Sequence, residues 1–110
     1  MTNLEKILKL TQILSWRITT AESCTAGMIS SELTAIPGSS NFYDRGFITY
    51  SNDAKIDMLN VKQTTLRSFG AVSEQVAIEM AIGSLENSIA NLTLSITGIA
   101  GPGSSEHKEE

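Results

Sequence analysis

A short β-branched run, Arg17-Ile18-Thr19-Thr20, leads through Ala21-Glu22-Ser23-Cys24-Thr25-Ala26-Gly27 into a helical pattern of Met28, Ile29, Leu33 and Ile36. Small hydroxyl, thiol and glycine residues therefore sit where a strand turns into a helix. Backbone N–H groups at such a helix start are unpaired and point outward, so they are placed to hold an anion or an oxyanion. A Ser or Cys at that turn is placed to be a nucleophile.

The rest of the chain alternates helix and strand. Thr2 and Glu5 have capping-box spacing, and Leu4, Ile7, Leu8 and Leu14 recur at helical spacing, which predicts a helix over 3–14. Residues 17–21 read as a strand and 25–36 as a second helix, closed by the breaker cluster Pro37-Gly38-Ser39-Ser40. The β-formers of 46–51 predict a strand, after which Asn52 or Asp53 caps a short helix through Leu59. A further short helix over 63–69 is closed by Gly70. Ser73 caps the longest helix, with Glu74 near its positive end and Val76, Ala77, Met80, Ala81 and Leu85 as its buried face. Residues 92–97 alternate like a strand and run into Gly98-Ile99-Ala100-Gly101-Pro102-Gly103 and a polar tail. Strands alternating with helices predict an α/β layered fold with a largely parallel sheet. Three strands are few for a parallel sheet covered on both faces. No internal repeat or linker is visible, so residues 1–110 read as one domain with 103–110 as its tail.

Bulk properties limit the function classes. A chain of 110 residues buries roughly 65% of its unfolded surface as one domain. Twelve acidic and eight basic residues give a net charge of −4, which argues against nucleic acid or an anionic membrane as a general partner. Cys24 is alone, so neither an internal disulfide nor a thiolate metal cluster is expected. No run is long enough to span a bilayer, and the start lacks a signal peptide's basic and apolar regions. Cytoplasm is the expected location.

The candidate chemistry starts from the need of a Ser or Cys nucleophile for a base. The single histidine, His107, lies in the tail, so a Ser–His–Asp arrangement is not expected, and neither is a zinc site. The remaining base is a lysine whose pKa falls from about 10.4 through burial or neighbouring charge. Lys55 is the best placed, following a predicted strand end in Tyr50-Ser51-Asn52-Asp53-Ala54. The plainer alternatives are a solvated helix lysine at 55, an N-cap at Ser23 and a small buried hydrophobe at Cys24. Tyr50 also reads as a half-buried packing residue, and Glu22 as a cap, an ion-pair partner or an acid. Arg45 forms either a surface pair with Asp44 or a contact to a substrate phosphate. The glycines around Pro102 match neither GxGxxG nor GxxxxGK[ST].

Five linked segments, Thr20–Gly27, Pro37–Ser40, Arg45–Lys55, Gly70–Ser73 and Thr97–Pro102, resemble in order and spacing the CinA C-terminal domain family. The resemblance runs from about Leu4 to Glu106. It implies a three-layer α/β/α domain, commonly a homodimer. It also implies the activity of the family's stand-alone members, nicotinamide-nucleotide amidases. These hydrolyse the carboxamide of nicotinamide mononucleotide to nicotinic acid mononucleotide and ammonia, with no metal or cofactor. On that resemblance Ser23 is the nucleophile and Lys55 its base, with Tyr50 and Thr97 assisting. The pyridine nucleotide is expected to meet Glu22, Cys24, Thr25, Arg45, Gly98 and Gly101.

Two positions depart from the family pattern. Ala26 stands where glycine is usual, and the chain has Lys108-Glu109-Glu110 where members continue with a Lys-Pro-Val-Gly-like segment, a strand and a later arginine. The expectation is therefore a domain short of its C-terminal strand and helix, weakly active or inactive alone. The competing readings are an inactive nucleotide-binding or dimerisation remnant and a Cys24-dependent enzyme.

Overall fold

The computed structural model describes residues 2–98. Gly101 and the 103–110 tail with His107 lie outside the described residues. The elements are α1 (Asn3–Ile13), β1 (Ile18–Glu22), α2 (Met28–Thr34), β2 (Tyr43–Ile48), α3 (Asn52–Leu59), α4 (Gln63–Phe69), α5 (Glu74–Glu86) and β3 (Leu92–Ile96). The strands form one sheet in the order β2-β1-β3, with β1 parallel to both neighbours.

Every residue of β1 is buried. Alternation then decides which layer each one meets. Ile18 packs with Leu8, Leu33 and Phe42, on the side of α1 and α2. Ala21 packs with Leu59, Val61, Val76 and Met80, on the side of α3 to α5. The fold is thus helix, sheet, helix, as the family resemblance implies. Each buried Leu, Ile, Phe or Met contributes about 1.5–3 kcal/mol, so these two clusters hold the layers together. The closest approach lies between α3 and α5. A Cβ at Gly83 would come within 2.0 Å of the Leu59 carbonyl oxygen, so only glycine fits there. Among the described residues no helix is long and apolar enough to cross a membrane.

Several boundaries differ from the sequence reading. The second helix starts at Met28 and not at residue 25, because Ala26 and Gly27 take left-handed backbone angles (φ 49° and 101°) that no helix accepts. β2 runs from Tyr43 to Ile48, earlier than the expected 46–51, because pairing with β1 outweighs the weak strand propensity of Asp44, Arg45 and Gly46. Tyr50 lies beyond the strand with 68% of its surface exposed, so it is not a half-buried packing residue. Ser51 caps α3, accepting from the Ala54 N–H at 3.0 Å, in place of Asn52 or Asp53. On α5, Leu85 is exposed, and Gly83 and Ser84 are buried with Val76 and Met80.

Candidate active site at the strand ends

β1 is the central strand, and the chain leaves it for β2 on one side and β3 on the other. In open parallel sheets ligands bind outside the carboxyl ends of the strands at such a switch point. Ser23 follows β1 directly, and its N–H donates to the Ile96 carbonyl at 3.0 Å. On the other side the Thr49 N–H donates to the Glu22 carbonyl at 2.8 Å. Ala21 pairs with Phe47 and with Ser95. Two residues further on, Thr49, Ser23 and Thr97 therefore stand in a row across the sheet, on the face covered by α3 to α5.

Lys55 comes to that face from the first turn and a half of α3. It is 2% exposed, and its Nζ donates to the Tyr50 carbonyl at 3.3 Å. The Ser23 hydroxyl, 5% exposed, donates to the same carbonyl at 3.5 Å, the long limit for such a bond. One backbone oxygen thus gathers the two candidate groups. Among the described residues no carboxylate forms an ion pair with Lys55. Burial pushes its ammonium below the usual lysine pKa, and the nearby charge of Cys24 opposes this. A lysine so placed is a better base near neutral pH than a solvated one.

The turn after Ser23 differs from the expectation of an open helix start. The Glu22 carboxylate, fully buried on the opposite face, occupies it. Its Oε1 accepts from the Thr25 hydroxyl at 2.7 Å and from the N–H groups of Gly27 and Ile29 at 3.2 and 2.9 Å. Its Oε2 accepts from the Ser30 N–H and hydroxyl at 2.9 and 2.8 Å. Burial alone would raise the Glu22 pKa. The Thr25 hydroxyl, the Ile29 and Ser30 N–H groups and the Ser30 hydroxyl outweigh it and hold the group below the usual carboxylate range. Ser30 is tied in turn to the Thr20 hydroxyl at 2.7 Å, and a Cβ at Gly46 would collide with both hydroxyls. Among the described residues, the Cys24 and Thr25 N–H groups are the donors of this turn left without an acceptor.

The remaining expected residues fall in two places. Gly98 lies beside Cys24, where a Cβ would stand 3.2 Å from the thiol sulfur, so the loop after β3 meets the turn after β1. The Thr97 hydroxyl donates to the Ala71 carbonyl at 2.8 Å. Thr97 also borders a cleft of about 480 Å³ with Ser73, Glu74, Ala77, Ser95 and Ile96. Arg45 is not brought to this edge. It lies four residues before Thr49 on β2, about 13 Å away along the strand. Its guanidinium is held by Asp44 at 2.6 Å and by the Asn87 carbonyl at 3.3 Å. Sequence reasoning missed the Tyr50 carbonyl, a backbone group, and the Thr49 side chain, whose place emerges only from the register of β2.

A serine just past the central strand and a buried lysine on α3 thus meet at one carbonyl of an α/β/α domain. A family model for the CinA C-terminal domain matches residues 2–110, and the chain belongs to that family. It is 54% identical over 92 residues to the nicotinamide-nucleotide amidohydrolase PncC of Escherichia coli K12, covering 83% of this chain and 56% of that protein. It is 57% identical over 86 residues to a CinA-like protein of Chloroherpeton thalassium, covering 78% of this chain and 20% of that protein. The crystal structure of the competence/damage inducible protein CihA from Agrobacterium tumefaciens is similar, with a TM-score of 0.87 at 52% identity. That match covers 93% of this chain and 62% of CihA. The chain spans 20% to 56% of the length of these two curated relatives.

Proposed function

We propose that this chain carries a serine–lysine amidohydrolase site that hydrolyses the carboxamide of nicotinamide mononucleotide. The observation that carries the reading is the convergence of the Ser23 hydroxyl and the buried, less basic Lys55 amine on one carbonyl at the strand ends. The 54% identity to an amidohydrolase named for nicotinamide nucleotide supports the substrate class.

In this reading the neutral Lys55 amine takes the Ser23 proton as Oγ attacks the carboxamide carbon. The developing oxyanion meets the N–H groups of Cys24 and Thr25, which have no acceptor among the described residues. The Lys55 ammonium then protonates the departing nitrogen, releasing ammonia and leaving an ester on Ser23. Water, deprotonated by Lys55, attacks that ester and frees nicotinic acid mononucleotide and the serine. The reaction balances with water alone. Glu22 and Thr25 set the turn that presents Ser23 and these two N–H groups. Tyr50, Thr97 and the Gly98 loop border the substrate, and Arg45 stays at the far end of β2. A cytoplasmic homodimer belongs to the same reading.

Ammonia release from nicotinamide mononucleotide by wild type and Lys55→Arg tests the base. Arginine keeps the charge but does not deprotonate. The variant is expected to lose essentially all turnover. Substantial activity in it refutes the base role. A second reading is nucleotide binding without turnover. Binding of the nucleotide by wild type without ammonia release would favour it.

A further inference from the structure

The site contains one buried polar group that the reaction above does not use. Thr49 is fully buried, and its Oγ1 has no hydrogen-bond partner among the described residues. A buried hydroxyl without a partner is unfavourable, and valine would fill the same space without that cost. The register places Thr49 beside Ser23, on the sheet face that Lys55 also occupies. Thr49 also precedes Tyr50, whose carbonyl both Ser23 and Lys55 address.

The need for a further acceptor follows from the valence of an amine. A neutral lysine has one lone pair and two N–H groups. To act as base its lone pair must face the Ser23 hydroxyl. One N–H has the Tyr50 carbonyl, 3.3 Å from Nζ. The other N–H needs an acceptor on the same face. The Thr97 hydroxyl stands one strand further away, across Ser23 on the β3 side, and is turned to donate to the Ala71 carbonyl; Glu22 is on the opposite face with both oxygens filled. Among the described residues nothing donates to the Thr49 oxygen, so its lone pairs are open. Resting on the reading of Ser23 and Lys55 as nucleophile and base, we infer that Thr49 is a positioning residue for Lys55. When the lysine turns toward Ser23, the Thr49 Oγ1 accepts the second amine N–H and fixes the direction of the lone pair.

Other groups around Lys55 are accounted for. Cys24, on the turn after β1, is the titratable group whose charge reaches it. Asp53 and Asp57 on α3, Arg67 on α4 and Glu74 on α5 are exposed. Glu79 on α5 is held by the Lys62 N–H and the Thr65 hydroxyl.

The test uses Thr49→Val and Thr49→Ser in the full chain, with two readouts. One is kcat and KM for ammonia release from nicotinamide mononucleotide. The other is the NMR titration of the lysine Cε resonances, with Lys55 assigned by its disappearance in Lys55→Arg. Thr49→Val is expected to lower kcat roughly tenfold or more with little change in KM. It should also move the Lys55 titration about one pH unit toward acid, because an ammonium turned toward Ser23 no longer has the Thr49 oxygen as an acceptor. Thr49→Ser should restore both, and Thr49→Ala should behave as valine does if the valine variant does not fold. An unchanged Lys55 titration in the valine variant, or a serine variant as impaired as valine, overturns the inference. If wild type releases no ammonia, the catalytic reading fails, and the Lys55 titration alone still decides for or against Thr49.

Discussion

Replacing Glu22 with glutamine removes one charge and one acceptor oxygen from beneath the first turn of α2. In the wild type five hydrogen bonds end on that carboxylate. A glutamine carbonyl can keep the set from Thr25, Gly27 and Ile29, but its NH2 then faces the Ser30 N–H, donor against donor. One buried N–H is left unpaired and the remaining bonds lose their charge assistance, a loss of about 3 kcal/mol. That is a large share of the roughly 5–15 kcal/mol that holds a domain together. Thermal unfolding should fall by roughly 15 °C, and the urea midpoint should fall with an unchanged slope. The effect has a pH signature. A carboxyl held lower in the folded state than in the unfolded chain stabilises above the unfolded value of about 4.3. That stability is lost as pH falls through the lowered folded value. The wild type should therefore weaken more steeply below pH 4.3 than Glu22→Gln, and the two curves should converge in acid. Far-UV circular dichroism during urea titration across pH 3–7 measures this. A variant within about 1 kcal/mol of wild type at pH 7 would refute the account of the turn.

Gly83→Ala should destabilise by about 2–3 kcal/mol or more, because its Cβ would fall 2.0 Å from the Leu59 carbonyl oxygen and force α3 and α5 apart. Denaturant unfolding with an unchanged slope measures it, and a neutral result would contradict the helix approach described. Lys55→Met should raise stability near pH 7 by about 1–2 kcal/mol while abolishing turnover, because it removes a buried amine that no carboxylate compensates among the described residues. Wild-type stability should also rise with pH between the lowered folded pKa of Lys55 and its ordinary value, where the unfolded chain binds more protons. The methionine variant should lack that rise. A methionine variant less stable than wild type would show the ammonium to be well compensated.

Much of the architecture was legible in local chemistry. The β-branched run before Glu22 marked β1, and Thr2 and Ser73 were readable as caps. Each accepts the expected N–H, from Glu5 at 3.1 Å and from Val76 at 3.2 Å. Ser23 was legible as a candidate nucleophile at the strand–helix turn and Lys55 as the best placed lysine, and the family resemblance implied their pairing. What was not legible depends on tertiary pairing. β2 begins among residues of poor strand propensity because β1 offers it a ladder. The capping role of Glu22 spans three to eight residues along the chain, mostly beyond the spacing of a capping box. The separation of Arg45 from the site, and the place of Thr49 within it, both follow from register alone, which no local pattern encodes.

We propose that the Ser23 hydroxyl, set by the Glu22-anchored turn, attacks a nicotinamide carboxamide. The most direct test is ammonia release from nicotinamide mononucleotide by the wild type, Ser23→Ala and Cys24→Ala, measured side by side on folded protein. Cys24, half-buried against Gly98 and outside the Tyr50 carbonyl contacts that gather Ser23 and Lys55, is expected to be replaceable. The account predicts turnover by wild type, most of it kept by Cys24→Ala, and none above background in Ser23→Ala. Turnover that survives in Ser23→Ala and disappears in Cys24→Ala would contradict it.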